Sequence, residues 1–297
     1  RWGALGRVTL RVVDPSGNPV AGAQAGGAFY RFGSNGRDWD VRGATDGNGE
    51  IAMENRACLG DLVFEVTKPG YYTTRLRYHF SKPGFDCVKD GRWQPWDPVL
   101  EITLKEQRKP IPMYAKRVDI QLPLKNKAYG FDYLVGDLVE PDGKGKTADI
   151  FLKCWGDKGY PPSLSYSNEL LIAACKTSEG FVCAKKDGWS QMPSSYEAPN
   201  NGYEAEIHLT IKRSASKVFE NIDLNESEFV VFRTRTESSN GTLVKANYGK
   251  IYGPITYGIM TNDREGAGVT LTYYFNPTPN DRNLEFDGKT NLFRPKW

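Results

Sequence analysis

The segment Val12-Val13-Asp14-Pro15-Ser16-Gly17-Asn18-Pro19-Val20-Ala21-Gly22-Ala23 constrains the fold more than any other part of the chain. An apolar strand runs into a Pro/Ser/Gly/Asn turn and a second strand leaves it. Thr45-Asp46-Gly47-Asn48-Gly49-Glu50-Ile51 repeats the device between two further extended segments, and Lys68-Pro69-Gly70-Tyr71-Tyr72 closes another strand. Turn-punctuated strand pairs this closely spaced predict a small antiparallel sandwich. Continuing the same reading gives strands near 7–13, 27–32, 49–53, 61–67, 72–80 and 99–104, interrupted by a long loop over 81–98.

Beyond Leu104 the chain reads Lys105-Glu106-Gln107-Arg108-Lys109-Pro110-Ile111-Pro112-Met113, charged and then proline-punctuated. This is the natural boundary between a domain over 1–108 and a second over 109–297. A chain of 297 residues has room for two cores. In the second domain alternating stretches recur at Val118–Leu122, Tyr133–Val139, Ala148–Cys154, Glu204–Lys212, Glu228–Thr234, Lys250–Met260 and Gly268–Asn276. A larger sandwich or jelly-roll-like domain with an extended C-terminal tail is predicted. Only Asn168–Cys175, apolar and mostly unbranched, suggests a short helix. Aromatic residues at 12%, with 31 Gly and 18 Pro, agree with an all-β protein.

The combined pattern resembles the carboxypeptidase regulatory-like, or prealbumin-like, domain family of secreted bacterial proteins over about residues 5 to 105. That resemblance implies a prealbumin/Ig-like sandwich, a secreted protein, and an accessory, spacer or adhesive role without a catalytic site. The stretches Lys109–Arg117, Lys144–Asp149 and Asn276–Asp287 are similar to parts of secreted proteins of verrucomicrobial-type bacteria. Those relatives imply a shared two-domain architecture and no particular activity. The chain opens at Arg1 and reaches a strand by Val8, so a mature form whose signal peptide has been removed is expected.

Charge and hydropathy exclude several classes. Thirty-nine basic and 36 acidic residues leave a net charge of +3 with the signs mixed, which supports neither nucleic-acid binding nor attachment to an anionic membrane. No apolar run approaches the roughly 20 residues needed to cross a bilayer as a helix. G-x-S-x-G, H-E-x-x-H and phosphate-cradling glycine motifs are absent from the sequence, and no cofactor or metal is predicted. The two histidines, His79 and His208, lie in different strand segments and read as ordinary sheet residues. Prealbumin-like hydrolases rely on several histidines, so that chemistry is excluded as well.

Five cysteines fit an oxidising compartment with one to spare. Alternation places Cys154 with Ile150 and Leu152 on one apolar face as a buried thiol. The preferred pairing of the others is Cys58 with Cys87 and Cys175 with Cys183, although spacing leaves connectivity open. Zinc is the competing reading and lacks a C-x-x-C pair. Asp46, Asn48 and Glu50 are spaced like calcium ligands, yet they also suit a hairpin turn, which is the favoured reading.

Two aromatic sets complete the candidates. Trp93 and Trp96, flanking Pro95 in the long loop, are candidate platforms for an extracellular glycan. The plainer reading packs them against their own domain to order the loop. Trp2 and Trp297, at the two ends, are candidate anchors for assembly. Taken together, the sequence predicts a secreted, non-enzymatic structural or adhesive protein that assembles with copies of itself at the cell surface. A carbohydrate-binding module is the first alternative, and a glycosidase using two carboxylates is the second.

Overall fold

The computed structural model describes residues 3–29, 41–80, 87–158, 165–213, 219–224, 227–259 and 265–293. The chain divides into two compact units, one of residues 1–108 with 187–193, the other of 109–186 with 194–297. Both are built from strands packed over apolar cores, the all-β sandwich class that the sequence predicts.

The first unit contains β1 (Ala4–Val13), β2 (Gln24–Phe29), β3 (Val41–Ala44), β4 (Glu50–Ala57), β5 (Asp61–Thr67), β6 (Thr74–His79), β7 (Val88–Lys89), β8 (Arg92–Trp93) and β9 (Val99–Thr103). One sheet runs β4-β1-β8-β7, with β9 also on β1. β1 shows how sequence sets the faces. Val8, Leu10 and Val12 are buried inward while Arg7, Thr9 and Arg11 alternate outward. They meet Phe29, Met53, Leu62, Phe64 and Val66 in one core cluster. Burying each such side chain contributes roughly 1.5–3 kcal/mol.

Both turns that define this unit use one device. Asp14 Oδ1 accepts the backbone N–H of Ser16 at 2.8 Å and Asn18 at 2.9 Å. Asp46 Oδ1 accepts those of Asn48 and Glu50, both at 2.9 Å. These Asx turns reproduce backbone turns with a side chain. Glycine is obligatory at position 49, where φ is +73° and a Cβ would stand 2.5 Å from the Val12 carbonyl oxygen.

The second unit contains β10 (Ile111–Leu122), β11 (Tyr129–Asp132), β12 (Asp137–Leu138), β13 (Ile150–Lys158), β14 (Tyr166–Ala174) and β15 (Gly180–Lys185). After β16 (Trp189–Ser190), which pairs with β6 in the first unit's second sheet, it resumes with β17 (Glu206–Arg213), β18 (Phe219–Ile222), β19 (Glu228–Ser239), β20 (Thr242–Ile259), β21 (Ala267–Asn276) and β22 (Phe286–Asn291). The first unit's second sheet therefore has the order β16-β6-β5-β2-β3. The second unit's sheets run β15-β19-β20-β21-β10-β22 and β12-β11-β13-β14-β17-β18. Between the latter two lies a core rich in rings, where Tyr133 stacks on Phe232 at 4.3 Å and Phe131, Tyr273 and Phe275 crowd around them.

Several sequence expectations are corrected here. Asn168–Cys175 is no helix: 168–174 belong to β14, with Leu170 and Ile172 fully buried. Pairing with β13 and β17 on both sides overrides the helical propensity of Leu and Ala. The strand expected over Tyr133–Val139 is instead a turn after β11, closed by the Gly136 N–H donating to Asp132 O at 2.7 Å, followed by the two residues of β12. Between Asn276 and Asn291 the C-terminal segment is fastened by side-chain amides. Asn276 Nδ2 donates to the carbonyls of Asp281 (3.1 Å) and Asn283 (3.0 Å), and Asn291 exchanges two hydrogen bonds with Ala115.

Candidate functional site

The densest ionisable cluster lies in the second unit. Asp132 ends β11, Asp149 directly precedes β13, and Arg235 sits in a β-bulge of β19, where pairing with β20 shifts register between Thr234 and Glu237. Arg235 has φ +51°, a conformation that non-glycine residues rarely adopt. The bulge re-aims its side chain, which a regular strand would have sent elsewhere. Arg235 Nε reaches Asp149 Oδ1 at 2.7 Å, and Nη2 reaches Asp149 Oδ2 and Asp132 Oδ1, both at 2.9 Å.

The carboxylates are satisfied on their other sides too. Asp149 also accepts the Tyr133 N–H at 2.8 Å and the Thr234 hydroxyl at 3.1 Å. Asp132 accepts the backbone N–H groups of Leu134, Lys146 and Thr147. Burial pushes the Asp149 carboxyl above its usual range, against the opposing pull of Arg235. Beside them Glu179, almost wholly buried, accepts the Thr236 N–H at 3.0 Å, and its Oε2 finds no hydrogen-bond partner among the described residues. Cys175 donates to the Ala148 carbonyl at 3.3 Å, and burial raises its thiol to about 12.

What this arrangement can do follows from access and protonation. The side chains of Asp149 and Asp132 are 0% and 4% exposed, so a substrate cannot touch either. Cys175 stays a thiol at neutral pH and is a poor nucleophile. The cluster is a polar brace from β19 of one sheet to β11 and β13 of the other. Sequence reading missed it because alternation along Thr234-Arg235-Thr236 hides the bulge. The only signal was Asp149, an acid that follows the Gly/Lys-rich stretch Lys144-Gly145-Lys146 without an obvious partner.

The residues singled out by sequence fall elsewhere. Trp93 stacks on Phe80 at 6.1 Å and donates Nε1–H to the Ala57 carbonyl at 3.0 Å, so one face packs on its own domain. Trp96 is half-buried under the Arg92 guanidinium, 4.7 Å from its ring centre. Asp46 is occupied by its turn and Glu50 pairs with Arg11 at 2.8 Å, which is the hairpin rather than the calcium geometry. His79 pairs with Asp61 and His208 with Glu169, each at 3.0 Å on the surface. Trp2 and Trp297 lie outside the described residues.

Neither expected bridge, Cys58–Cys87 or Cys175–Cys183, is seen among the described residues, and Cys58, Cys154, Cys175 and Cys183 are thiols. Cys175 turns inward to Ala148 while Cys183 is exposed on β15, so the short sequence gap between them does not bring the sulfurs together. Reduction is therefore expected to leave the melting temperature unchanged. A drop of several degrees in millimolar dithiothreitol, with loss of a bridge in a peptide map, would contradict this.

One sheet edge open to a partner is the strand β15. It pairs with β19 on one side, and on the other, among the described residues, only Phe181 is engaged, by Glu204. The Lys186 N–H donates to Ser227 O at 2.7 Å, which sets the alternation of the ladder. Cys183 and Lys185 consequently point their backbone N–H and C=O away from β19. The segment Phe181-Val182-Cys183-Ala184 is uncharged and contains no proline.

No protein-family model matches the chain, and no curated protein matches it. Among solved structures, the 3-chlorocatechol 1,2-dioxygenase of Rhodococcus opacus 1CP aligns at 16% identity and TM-score 0.27, over 35% of this chain and 60% of that one. The shaft pilin SpaA of Lactobacillus rhamnosus GG aligns at 12% identity and TM-score 0.24, over 94% of each chain. BcpA, the major pilin subunit of Bacillus cereus, aligns at 11% identity and TM-score 0.24, over 96% of this chain and 97% of that one. Scores this low establish neither a common fold nor a common activity. Among the described residues, no helix is long and apolar enough to cross a membrane.

Proposed function

We propose that this chain is a non-enzymatic structural subunit that assembles with copies of itself on the outside of a bacterial cell. The observation that carries the reading is the half-open edge of β15, whose outward backbone groups at Cys183 and Lys185 form a template for strand addition. Phe181–Ala184 carry no charge and no proline, two of the devices with which edges are usually blunted, and the charge of this strand is confined to its last residue, Lys185. The brace of Asp132, Asp149 and Arg235 is closed to substrate, which favours a structural over a catalytic role. The extracellular setting rests on the resemblance of residues 5 to 105 to modules of secreted bacterial proteins.

Proline at position 183 tests the edge selectively. Its missing N–H is one that β19 does not use, so Cys183→Pro spares the internal ladder while removing an outward donor. Negative-stain microscopy of the wild type across a concentration series is expected to show filaments or sheets. Cys183→Pro is expected to yield isolated particles with an unchanged far-ultraviolet circular dichroism spectrum. Isolated wild-type particles at every concentration would refute the assembly reading, and filaments persisting in Cys183→Pro would remove β15 from it.

A further inference from the structure

Trp189 is the most exposed large apolar side chain among the described residues, at 60%. Tryptophan is mostly buried in folded chains, so an indole held out from a regular strand needs a reason. Trp189 is not on a loose tip. β16 pairs it with Arg75 of β6, and Gln191 N–H donates to the Thr73 carbonyl at 2.9 Å.

The register places Trp189 at one end of a row of cross-strand neighbours. Trp189 opposes Arg75, Arg75 opposes Glu65, Glu65 opposes Gly26, and Gly26 opposes Arg42. Opposed residues share a face, so all five stand on one side of the sheet. That side is the outer one, since Thr74, Phe64 and Val66, their neighbours along the strands, are buried. Five strands at about 4.8 Å make the row roughly 19 Å long. Gly26 leaves a gap in it where no side chain rises.

An open cavity of about 580 Å³ lies at the tryptophan end, lined by Glu65, Thr73, Arg75, Trp189, Ser190 and Gln191. Its size is within the roughly 300–1,000 Å³ of small-molecule sites. The polar groups are held in place and retain capacity. Arg75 grips Glu65 Oε2 through Nε and Nη2, each at 2.7 Å, which leaves Glu65 Oε1 and Arg75 Nη1 for hydroxyl groups. The Gln191 carbonyl oxygen accepts the Thr73 N–H at 3.3 Å, leaving its NH₂ as a donor.

We propose that this outer face binds a neutral glycan chain, with Trp189 as the stacking platform and Arg75, Glu65 and Gln191 as the hydroxyl-reading groups. A flat indole suits the apolar C–H face of a pyranose ring, and paired planar donors and acceptors suit vicinal hydroxyls. At the tryptophan end, away from Arg42, Arg75 and Glu65 neutralise each other, which favours an uncharged sugar there over an acidic one. The long, shallow row suits a polymer rather than a single enclosed ring. The site is distinct from Trp93 and Trp96 and does not depend on self-assembly.

Isothermal titration of the full chain with cellohexaose, xylohexaose, mannohexaose and chitohexaose tests the proposal. Saturable binding to at least one is expected, weakened at least about tenfold by Trp189→Ala and by Arg75→Ala. Trp189→Phe, which keeps a ring, is expected to retain part of the affinity, and Trp96→Ala all of it. Equal melting temperatures of Trp189→Ala and wild type would show that folding is not the cause. Absence of heat with all four sugars, or undiminished binding by Trp189→Ala, would overturn it.

Discussion

Replacing Arg235 with Met is expected to lower the unfolding free energy of the second unit by about 3 kcal/mol, the lower end of the range for breaking a buried ion pair because the guanidinium is partly exposed. The loss arises less from the missing attraction than from what stays behind. Asp149, fully buried, and Asp132, nearly so, would face each other without a cation. The shift should also carry a pH signature. Burial already raises the Asp149 carboxyl above its ordinary value, so the folded state holds that proton more tightly than the unfolded chain does. Its favourable contribution is therefore complete below the unfolded value and is lost as pH rises through the folded one. Removing Arg235 raises the folded value further. The deficit of Arg235→Met against wild type should widen from pH 4 to pH 8 and narrow on acidification. Urea melts at several pH values measure this, and Asp149→Asn added to Arg235→Met should recover part of the loss. A deficit below about 1 kcal/mol would show that the brace contributes little, and a pH-independent one would show that Asp149 is not the group that carries it.

The second large effect belongs to the ring stack. Phe232 is 1% exposed and lies parallel to Tyr133 and to Phe275, at 4.3 and 6.3 Å between ring centres. Phe232→Ala is expected to cost about 3–5 kcal/mol, through lost transfer free energy and the cavity left behind. The site has little means of collapsing. The neighbouring Gly249 is the obvious place to refill the space, since a Cβ there would meet Phe232 Cζ at 2.2 Å in the wild type. That same Cβ would stand 2.4 Å from the Tyr274 carbonyl oxygen, which belongs to the backbone of the adjacent strand. Gly249→Ala is thus expected to destabilise alone and to fail as a rescue of Phe232→Ala. A double variant more stable than Phe232→Ala, in thermal or urea denaturation, would show that β20 and β21 yield more easily than their pairing implies.

How far the sequence discloses the molecule depends on the range of the forces involved. The two Asx turns at Asp14 and Asp46 are local chemistry, and their residues identify them directly. Strands such as β1, β17 and β21 declare themselves by alternation, because one face is dry and the other wet. β14 does not: Leu170-Leu171-Ile172-Ala173-Ala174 carries a helical preference, and only its two flanking strands decide otherwise. The brace is less legible still, since Arg235 meets Asp149 across 86 positions by way of a bulge that no composition announces. The cysteines mislead because nearness in sequence says little about the direction in which neighbouring strands point their side chains. Among the tryptophans, the pair in the long loop drew attention by its spacing, whereas Trp189, in a short Lys-Asp-Gly-Trp-Ser stretch, gained meaning only from its strand partner.

The assignment of residues 187–193 to the first unit bears on the order in which the protein is made. A ribosome releases residues 1–108 long before β16 exists, and at 5–20 residues per second the wait of roughly 80 residues lasts about 4–16 s. Throughout that interval the outer side of β6 at Thr74 and Arg75 lacks the strand that later pairs with it. The nascent chain must therefore carry an unfinished sheet past its neighbours on the polysome. A fragment ending at Arg108 would lack β16, so the complete five-stranded sheet is contiguous in space but is not encoded by a contiguous piece of sequence.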